Sequence, residues 1–282
     1  MKCIFVSDLH GIQSRFDKLF KIIEKEKPQG VFIGGDVLPG GFGINISLED
    51  FFEKTITKNL VKIKKKCKDT RFFIILGNDD PRLYESLLLD IEKEGLIEYI
   101  HNKTVTFENL YVTGYSYIPP TPFKLKDWEK FDVSQYVDIG AISPLEGIRS
   151  VDISSDKILY STIGEDLDRL SNNAAVKDTI FLFHSPPYKS FLDRADLDGK
   201  IVEHAPVDLH VGSIAILRFI KKKQPLLTLH GHVHESASIT GKWYEKTGET
   251  FSFSAAHDKK ELSVVFFDTD DLENAERRLF KI

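Results

Sequence analysis

The sequence predicts an α/β protein built around a wound sheet. Three times within the first 94 residues, a short apolar run ends in polar or glycine residues and leads into a segment with helical spacing. Such short apolar runs are typical of strands buried on both faces of a parallel sheet. Their alternation with helices favours a wound α/β architecture. Because no repeat or linker divides the 282 residues, we expect one domain over 1–282.

The first strand is predicted at 3–6, where Cys3-Ile4-Phe5-Val6 precedes the polar residues of 7–11. A helix follows through Lys25, and Pro28 and Gly30 end it. Ser47 is the predicted N-cap of a helix that runs to about Lys68. Apolar runs predict further strands at 31–33, 72–76, 98–100, 104–107, 110–113, 179–183 and 226–229, and helical spacing predicts helices at 82–94, 164–170 and 211–223.

Beyond residue 236 the pattern predicts antiparallel strands only. These lie at 238–240, 250–254, 261–267 and 277–282, with a turn at Gly241 after the first of them.

The segment from Tyr115 to about Asp156 follows no regular pattern but is rich in aromatic residues and proline. A loop of this length in a compact domain is usually functional or disordered, and the aromatic residues favour order. We interpret it as an insertion packed over the face that carries the site. A surface contact in a homo-oligomer explains the same composition equally well.

Composition excludes several classes of function. The net charge of -5 and the pI near 6.0 provide no electrostatic footprint for nucleic acid. The two cysteines, Cys3 and Cys67, form no disulfide framework, which predicts a reducing, cytoplasmic compartment. The apolar run at the N-terminus is the first strand, so we expect no signal peptide. No apolar run reaches the roughly 20 residues of a membrane span.

Five predicted strands end in side chains that commonly bind metals. In extended backbone, Asp8 and His10 would point the same way and converge beyond the first strand. A helix cap is the simpler interpretation of Asp8 alone. The other strand ends carry Asp36, Asn78, His184 and the pair His232 and His234. Because open α/β sheets gather their strand ends at one edge, these oxygen and nitrogen donors predict a site for two metals that share a carboxylate.

These residues occur in motifs that resemble those of the calcineurin-like metallophosphoesterase superfamily. The motifs are Asp8-x-His10, Gly35-Asp36-x-x-x-Gly40, Gly77-Asn78-Asp79-Asp80, His184 and Gly231-His232-x-His234. The resemblance implies a four-layer sandwich of two mixed β-sheets flanked by helices, with a dinuclear metal site at the carboxyl ends of the strands. It also implies that the strands after Ser236 complete the second sheet.

The resemblance implies a phosphoesterase that hydrolyses small phosphate esters with a water activated by two divalent ions, Mn²⁺, Fe or Zn²⁺. Asp36 and Asn78 would take part in catalysis, and Asn78 would also contact the phosphate. The first metal would be held by Asp8, His10 and His234, Asp36 would bridge, and Asn78, His184 and His232 would hold the second. The alternative is a non-catalytic scaffold of the same fold that acts as a protein-binding module.

Asp79 departs from the family pattern. The family's third motif commonly carries a histidine at this position, and that histidine helps to orient or protonate the departing group. Cations beside Asp79 would keep it charged, so it would repel phosphate, a monoester dianion more than a diester monoanion. We therefore expect phosphodiesters to be favoured. Alternatively, Asp79 turns away from the site or orients a ligand residue.

Two further residues are candidate substrate ligands. His210 and Ser213 lie where the helix at 211–223 begins, and a helix N-terminus can receive an anion. An ordinary helix cap is the alternative. His230 precedes the ligand pair and is predicted to be buried and hydrogen-bonded.

Overall fold

Two six-stranded mixed sheets lie face to face in a computed structural model that describes residues 1–40, 47–172 and 175–282. The strands are β1 (Lys2–Val6), β2 (Gly30–Gly34), β3 (Arg71–Ile75), β4 (Glu98–Tyr99), β5 (Thr104–Phe107), β6 (Leu110–Tyr115), β7 (Thr179–Phe183), β8 (Ile201–Val202), β9 (Ala205–Pro206), β10 (Leu227–His230), β11 (Tyr244–Thr247), β12 (Thr250–Ser254), β13 (Leu262–Asp268) and β14 (Asp271–Phe280).

The helices are α1 (Gln13–Glu26), α2 (Leu48–Phe51), α3 (Lys58–Lys66), α4 (Glu85–Lys93), α5 (Ser155–Leu159), α6 (Ile163–Ser171), α7 (Ile214–Lys223) and α8 (Ser236–Thr240). A π-helical segment, Phe52–Thr57, joins α2 to α3, so the helix predicted from Ser47 is continuous but not regular. Ser47 accepts a hydrogen bond from the backbone N–H of Asp50, which confirms the predicted cap. Short 3-10 turns lie at Arg82–Tyr84 and Val176–Asp178.

The first sheet has the order β14-β13-β1-β2-β3-β4, and the second has the order β11-β12-β10-β7-β6-β5. β1 to β4 run parallel, as do β6, β7, β10 and β12. The carboxyl ends of these strands therefore lie at one end of each sheet, which is where loops from both sheets can meet.

Alternating side chains fill two layers of the core. On β1, Cys3 and Phe5 belong to the cluster between the sheets, whereas Ile4 and Val6 pack with the flanking helices. Phe32 lies at the centre of the inner layer, with its ring 5.1 Å from that of Phe73 and 6.1 Å from that of Phe107 on the second sheet. Each such buried ring stabilises the fold by about 1.5–3 kcal/mol. This shared layer holds the two sheets, and therefore their loops, in register.

The C-terminal part of the chain corrects three predictions. Residues 238–240 are not a strand but the end of α8, which Gly241 terminates with a left-handed φ of 69°. β12 pairs antiparallel with β11, as predicted, but parallel with β10 on its other side. β13 and β14 join the first sheet beside β1, so only β11 and β12 complete the second. Strand pairing joins residues that are distant in the chain, and the local pattern does not encode which partner is chosen.

The irregular segment between β6 and α5 is ordered by polar contacts as well as by aromatic packing. Trp128 is completely buried, and its indole N–H donates to the carbonyl of Asp80 at 2.8 Å. Asp127 accepts from the backbone N–H of Arg82 at 2.8 Å. The segment is thereby attached to the loop that follows β3. Among the described residues, no helix is long and apolar enough to cross a membrane.

Candidate metal centre

Four donor side chains converge on one point beyond the carboxyl ends of the strands. One donor atom each from Asp8, His10, Asp36 and His234 lies within 4.8 Å of the others. The Nε2 atoms of His10 and His234 are 3.2 Å apart, and Nε2 of His234 is 3.3 Å from Oδ1 of Asp8. Two imidazole nitrogens facing each other beside a carboxylate are an unfavourable group of electron-rich atoms unless a proton or a cation lies between them. A divalent metal ion fits this donor set.

A second set of donors adjoins the first and shares Asp36 with it. Nε2 of His184 lies 3.3 Å from Oδ2 of Asp36 and 3.0 Å from Oδ1 of Asn78. The ring of His232 is 5.3 Å from that of His184. Nδ1 of His184 lies 2.8 Å from the carbonyl oxygen of Gly34, so Nδ1 carries the proton that this bond needs. Nε2 therefore faces Asp36 and Asn78, where a cation would take the place of its proton.

The backbone at these residues is not the extended one that the sequence suggested. Asp8, His10, Asp36 and His232 all have left-handed φ values, 57°, 48°, 50° and 72°. Non-glycine residues adopt this region at a penalty of about 1–2 kcal/mol, and several such residues at one place are typical of functional sites. Asp8 and His10 therefore converge because the chain curls after β1, and the prediction of extended backbone there was wrong.

Hydrogen bonds between two loops hold this curl in place. The backbone N–H of Asp8 donates to the carbonyl of Gly35 at 3.0 Å, and that of His10 donates to the carbonyl of Asp36 at 2.8 Å. Arg15, which is buried on α1, donates to the carbonyl of Asp8 at 2.8 Å. The loops after β1 and β2 thus form one hydrogen-bonded unit. The left-handed backbone of the first loop is held by residues that are not its neighbours in sequence.

Asp80 is a site residue that the sequence analysis did not single out. Its carboxylate is completely buried and accepts hydrogen bonds from the backbone N–H groups of Gly77, Val37 and Leu38 at 2.9, 3.1 and 2.8 Å. Burial, together with the charge of Asp36, raises the pKa of Asp80 to about 7. It ties the loop that carries Asn78 to the loop that carries Asp36. The second aspartate of Asn78-Asp79-Asp80 was the available signal.

The charges of the site are strongly coupled. Burial alone lowers the pKa of His184, but the Asp36 carboxylate outweighs burial and raises it to about 10. His234 rises to a pKa of about 9, because Asp8 outweighs burial there. Burial by itself raises the pKa values of Asp8 and Asp36, yet contacts with His234 and His184 leave both below the usual range. Burial lowers the pKa of His232 to about 3, so its imidazole is neutral and available as a ligand.

Asp79 lies at the rim of the centre. Its Oδ2 is 3.6 Å from Nδ1 of His10, and its Oδ1 accepts from Nδ2 of Asn78 at 3.0 Å. Its backbone N–H donates to Oδ1 of Asp36 at 2.8 Å. Burial and the charge of Asp36 raise the pKa of the Asp79 carboxyl, and bound metal ions would lower it again. Asp79 therefore does not turn away, and its contacts match the alternative in which it orients neighbouring ligand residues.

The two candidate substrate ligands that precede α7 are engaged elsewhere. Ser213 is completely buried, donates to Asp132 at 2.6 Å and caps the helix by accepting from the backbone N–H of Ile216 at 3.0 Å. The Asp132 carboxylate already occupies the helix N-terminus, so the cap interpretation is the one these contacts support. His210 lies with Nδ1 2.7 Å from Oδ1 of Asp193.

His230 is buried and hydrogen-bonded, as predicted. Its Nδ1 lies 2.8 Å from the carbonyl oxygen of Ser185, and its Nε2 lies 2.8 Å from the Thr228 hydroxyl. Burial lowers the pKa of His230 to about 4, so the ring is a neutral part of the core behind the centre.

Solved structures with this architecture span nearly the whole chain. A protein from Thermus thermophilus is 15% identical with a TM-score of 0.54, and 99% of each chain is covered. A dimetal phosphatase from Danio rerio is 11% identical with a TM-score of 0.54 over 95% of this chain and 92% of that one. A third chain is 17% identical, with a TM-score of 0.62 and 99% of both chains covered. Identities this low establish a common fold only.

The family comparison goes further than the fold. No curated protein matches the sequence. The calcineurin-like phosphoesterase profile matches residues 1–236, a region that begins at the first strand and contains every donor of the two sets described above. The chain therefore belongs to the calcineurin-like phosphoesterase family.

Proposed function

We propose that this chain is a dinuclear metal-dependent phosphoesterase that favours phosphodiesters. The observation that carries the proposal is the pair of donor sets that share Asp36. We assign Asp8, His10, Asp36 and His234 to one ion, and Asp36, Asn78, His184 and His232 to the other. These mixed nitrogen and oxygen sets suit Mn²⁺, Fe and Zn²⁺ alike.

When bound, two such ions supply Lewis acidity and a water made nucleophilic at neutral pH. The protein's own side chains position the ions and the substrate. His232 lies between the two sets, since its backbone N–H donates to Oδ1 of Asp8 at 3.1 Å while its ring adjoins that of His184. Asn78 presents its amide oxygen to the second set and donates its amide nitrogen to Asp79, which fixes its orientation. As the family resemblance implies, it would contact the phosphate as well as the second ion.

Asp79 sets the proposed preference among esters. Its side chain is 45% exposed and lies beside His10. The family resemblance places it at the position where the third motif commonly carries a histidine. A carboxylate there repels a second negative charge on the phosphoryl group more than it repels a single one. A monoester dianion is therefore bound less favourably than a diester monoanion. Asp79 also orients His10 and Asn78 through the contacts described above.

The direct test combines metal analysis with two assays on the purified protein. We expect two divalent ions per chain and faster turnover of bis-(p-nitrophenyl) phosphate than of p-nitrophenyl phosphate. Asp36→Asn should abolish turnover and lower the metal content, because Asp36 belongs to both donor sets. Asp168→Ala, an exposed change on α6, is the matched control and should leave both unchanged.

Different failures have different meanings. Faster monoester cleavage would overturn the diester preference but not the phosphoesterase assignment. Two bound ions without turnover of either ester would favour the non-catalytic scaffold. A folded chain that binds no divalent ion would overturn the whole proposal. The cytoplasmic location stays a prediction, and it agrees with the buried free thiols of Cys3 and Cys67.

A further inference from the structure

Away from the metal centre, a cavity of about 650 Å³ lies between the irregular segment, the 3-10 turn before α4, and the helices α5 and α6. None of the metal-type side chains described above lines it. Its wall instead carries five cationic side chains: Arg82, Lys130, Arg149, Lys157 and Arg169. Three carboxylates also line the cavity, so positive charge is in excess by two.

Two of those carboxylates already have partners. Asp166 forms ion pairs with Lys130 at 2.5 Å and with Arg169 at 2.6 Å. Glu129 forms a fully buried ion pair with Lys126, which lies outside the lining. Arg82 is also paired, with Glu85 at 3.2 Å. Arg149 and Lys157 are therefore the two lining cations for which the described residues provide no ion pair.

Arg149 shows this most clearly. Its guanidinium donates to the backbone carbonyls of Lys126 and Pro144, which are neutral acceptors. Among the described residues, no carboxylate lies within 4.0 Å of Arg149 or of Lys157. Within the described residues, the positive charges that Arg149 and Lys157 bring to the cavity are therefore not neutralised by an ion pair.

A second arginine is held beside the same wall. The backbone N–H of Arg82 donates to Asp127, and the adjacent residue Lys126 accepts from Arg149. The Arg82 guanidinium donates to the Tyr117 hydroxyl at 3.1 Å. Burial lowers the pKa of Arg149, and the charge of Arg82 adds a small contribution in the same direction, whereas Asp127, Tyr117 and Glu129 oppose it. Two guanidinium groups that line one cavity provide several N–H donors for an anion.

We propose that this cavity binds an organic phosphate that carries at least two negative charges. Arg82 and Arg149 would contact the phosphoryl oxygens, and Lys157 would add a third charge from α5. The apolar side chains of Val151, Ile153 and Ile158 line the same cavity and suit the organic part of the ligand. The volume lies within the range of about 300–1,000 Å³ that is usual for small-molecule sites. The proposal does not depend on the function assigned to the metal centre.

The test uses methylenebisphosphonate and isothermal titration of the full chain as purified. In this compound a carbon atom joins two phosphonate groups, so a phosphoesterase cannot hydrolyse it. We expect saturable binding that weakens about tenfold or more in Arg149→Gln, since a charge-assisted hydrogen bond contributes on the order of 1.5–3 kcal/mol. Lys157→Gln should weaken binding by about threefold to tenfold. This second variant protects the test, because Lys157 is exposed and its loss leaves the carbonyl contacts of Arg149 intact.

Two further variants separate this cavity from other sources of binding. Lys221→Gln makes the same charge change on an exposed residue of α7 and should leave the affinity unchanged. Asp36→Asn should remove any separate binding event at the metal centre and leave the affinity of the cavity unchanged, because Asp36 does not line the cavity. The proposal is overturned by an absence of binding, by equal affinity in wild type, Arg149→Gln and Lys157→Gln, or by binding that Asp36→Asn abolishes.

Discussion

The carboxylate of Asp80 accepts a hydrogen bond from the backbone N–H of Leu38 at 2.8 Å, although the two residues belong to different loops. The same carboxylate accepts from Val37 and from Gly77. One buried side chain thus fixes the distance between the loop of Asp36 and the loop of Asn78. The shape of the metal centre depends on a residue that does not belong to either donor set.

We expect Asp80→Ala to lower the free energy of unfolding by about 3 kcal/mol, because each buried donor left without an acceptor costs about 1–3 kcal/mol. Asp80→Asn keeps one acceptor oxygen and should lose about half as much. Chemical denaturation followed by circular dichroism measures both values. Metal content should fall along with stability in Asp80→Ala. Stability equal to that of the control Asp168→Ala would contradict the role given to Asp80.

Gly35 offers a test of how tightly the second donor set is packed. Gly35 has a φ of 92°, and a Cβ there would lie 2.6 Å from Nδ1 of His184 and 2.9 Å from Cα of Gly77. Gly35→Ala should therefore displace His184 and lower the number of bound ions per chain. Gly95 also has a positive φ, 73°, but a Cβ there meets nothing within 4 Å.

Gly95→Ala is thus a control that carries the backbone strain of about 1–2 kcal/mol without the collision. It should lower stability slightly and leave metal content unchanged. The measurement is metal per chain by elemental analysis, alongside thermal unfolding. Equal metal content in the two variants would show that the contact with His184 does not matter.

Two substitutions at Asp79 separate repulsion from proton donation. Asp79→Asn removes the negative charge, and it should raise the ratio of monoester to diester turnover without supplying an acid. Asp79→His also supplies a group that can donate a proton to the departing oxygen, and general acids contribute about 10²–10⁴-fold to such steps. We expect monoester turnover to increase in the order Asp79, Asn, His. Turnover ratios that are the same in all three proteins would remove Asp79 from the explanation of specificity.

His101 predicts a dependence of stability on pH that arises outside the metal centre. Its Nδ1 accepts from the backbone N–H of Ser116 at 3.1 Å, and its ring lies 4.8 Å from that of Trp128. Burial, with smaller contributions from Arg82 and Lys130, lowers its pKa from 6.5 to about 3. Between these two values the unfolded chain binds this proton and the folded chain does not. The free energy of unfolding therefore decreases as the pH falls below about 6.5.

This residue alone should contribute a loss of about 2 kcal/mol between pH 7 and pH 5. In His101→Gln, the loss of unfolding free energy between pH 7 and pH 5 should be smaller than in the wild type by about 2 kcal/mol, whatever the absolute stability of the variant. Urea unfolding at several pH values gives the slope. His204→Gln, at an exposed position, should keep the slope of the wild type. An unchanged slope in His101→Gln would show that His101 takes up its proton in the folded protein.

Much of the fold was predictable because the strands are short apolar runs with polar ends. The strands at Thr104–Phe107, Thr179–Phe183 and Thr250–Ser254 lie where the pattern placed them. The two-sheet architecture was implied by the resemblance. After residue 236 the pattern failed at Ser236–Thr240, which is helical, and the expectation that the last strands complete the second sheet was wrong, because β13 and β14 join the first. There the pairing partner, which is distant in sequence, decides the structure, and local propensity is a weak guide to it.

The sequence by itself determined which donors the chain offers and that each follows a buried strand. Only the tertiary structure decided how they meet, because left-handed backbone at Asp8 and Asp36 is maintained by hydrogen bonds between loops that are distant in sequence. The roles of Asp80 and Arg15 became visible in the same way, since a buried polar group is defined by its partners and the sequence does not name them. The cavity at Arg149 likewise exists because the irregular segment packs against α5 and α6, a contact that no periodicity encodes.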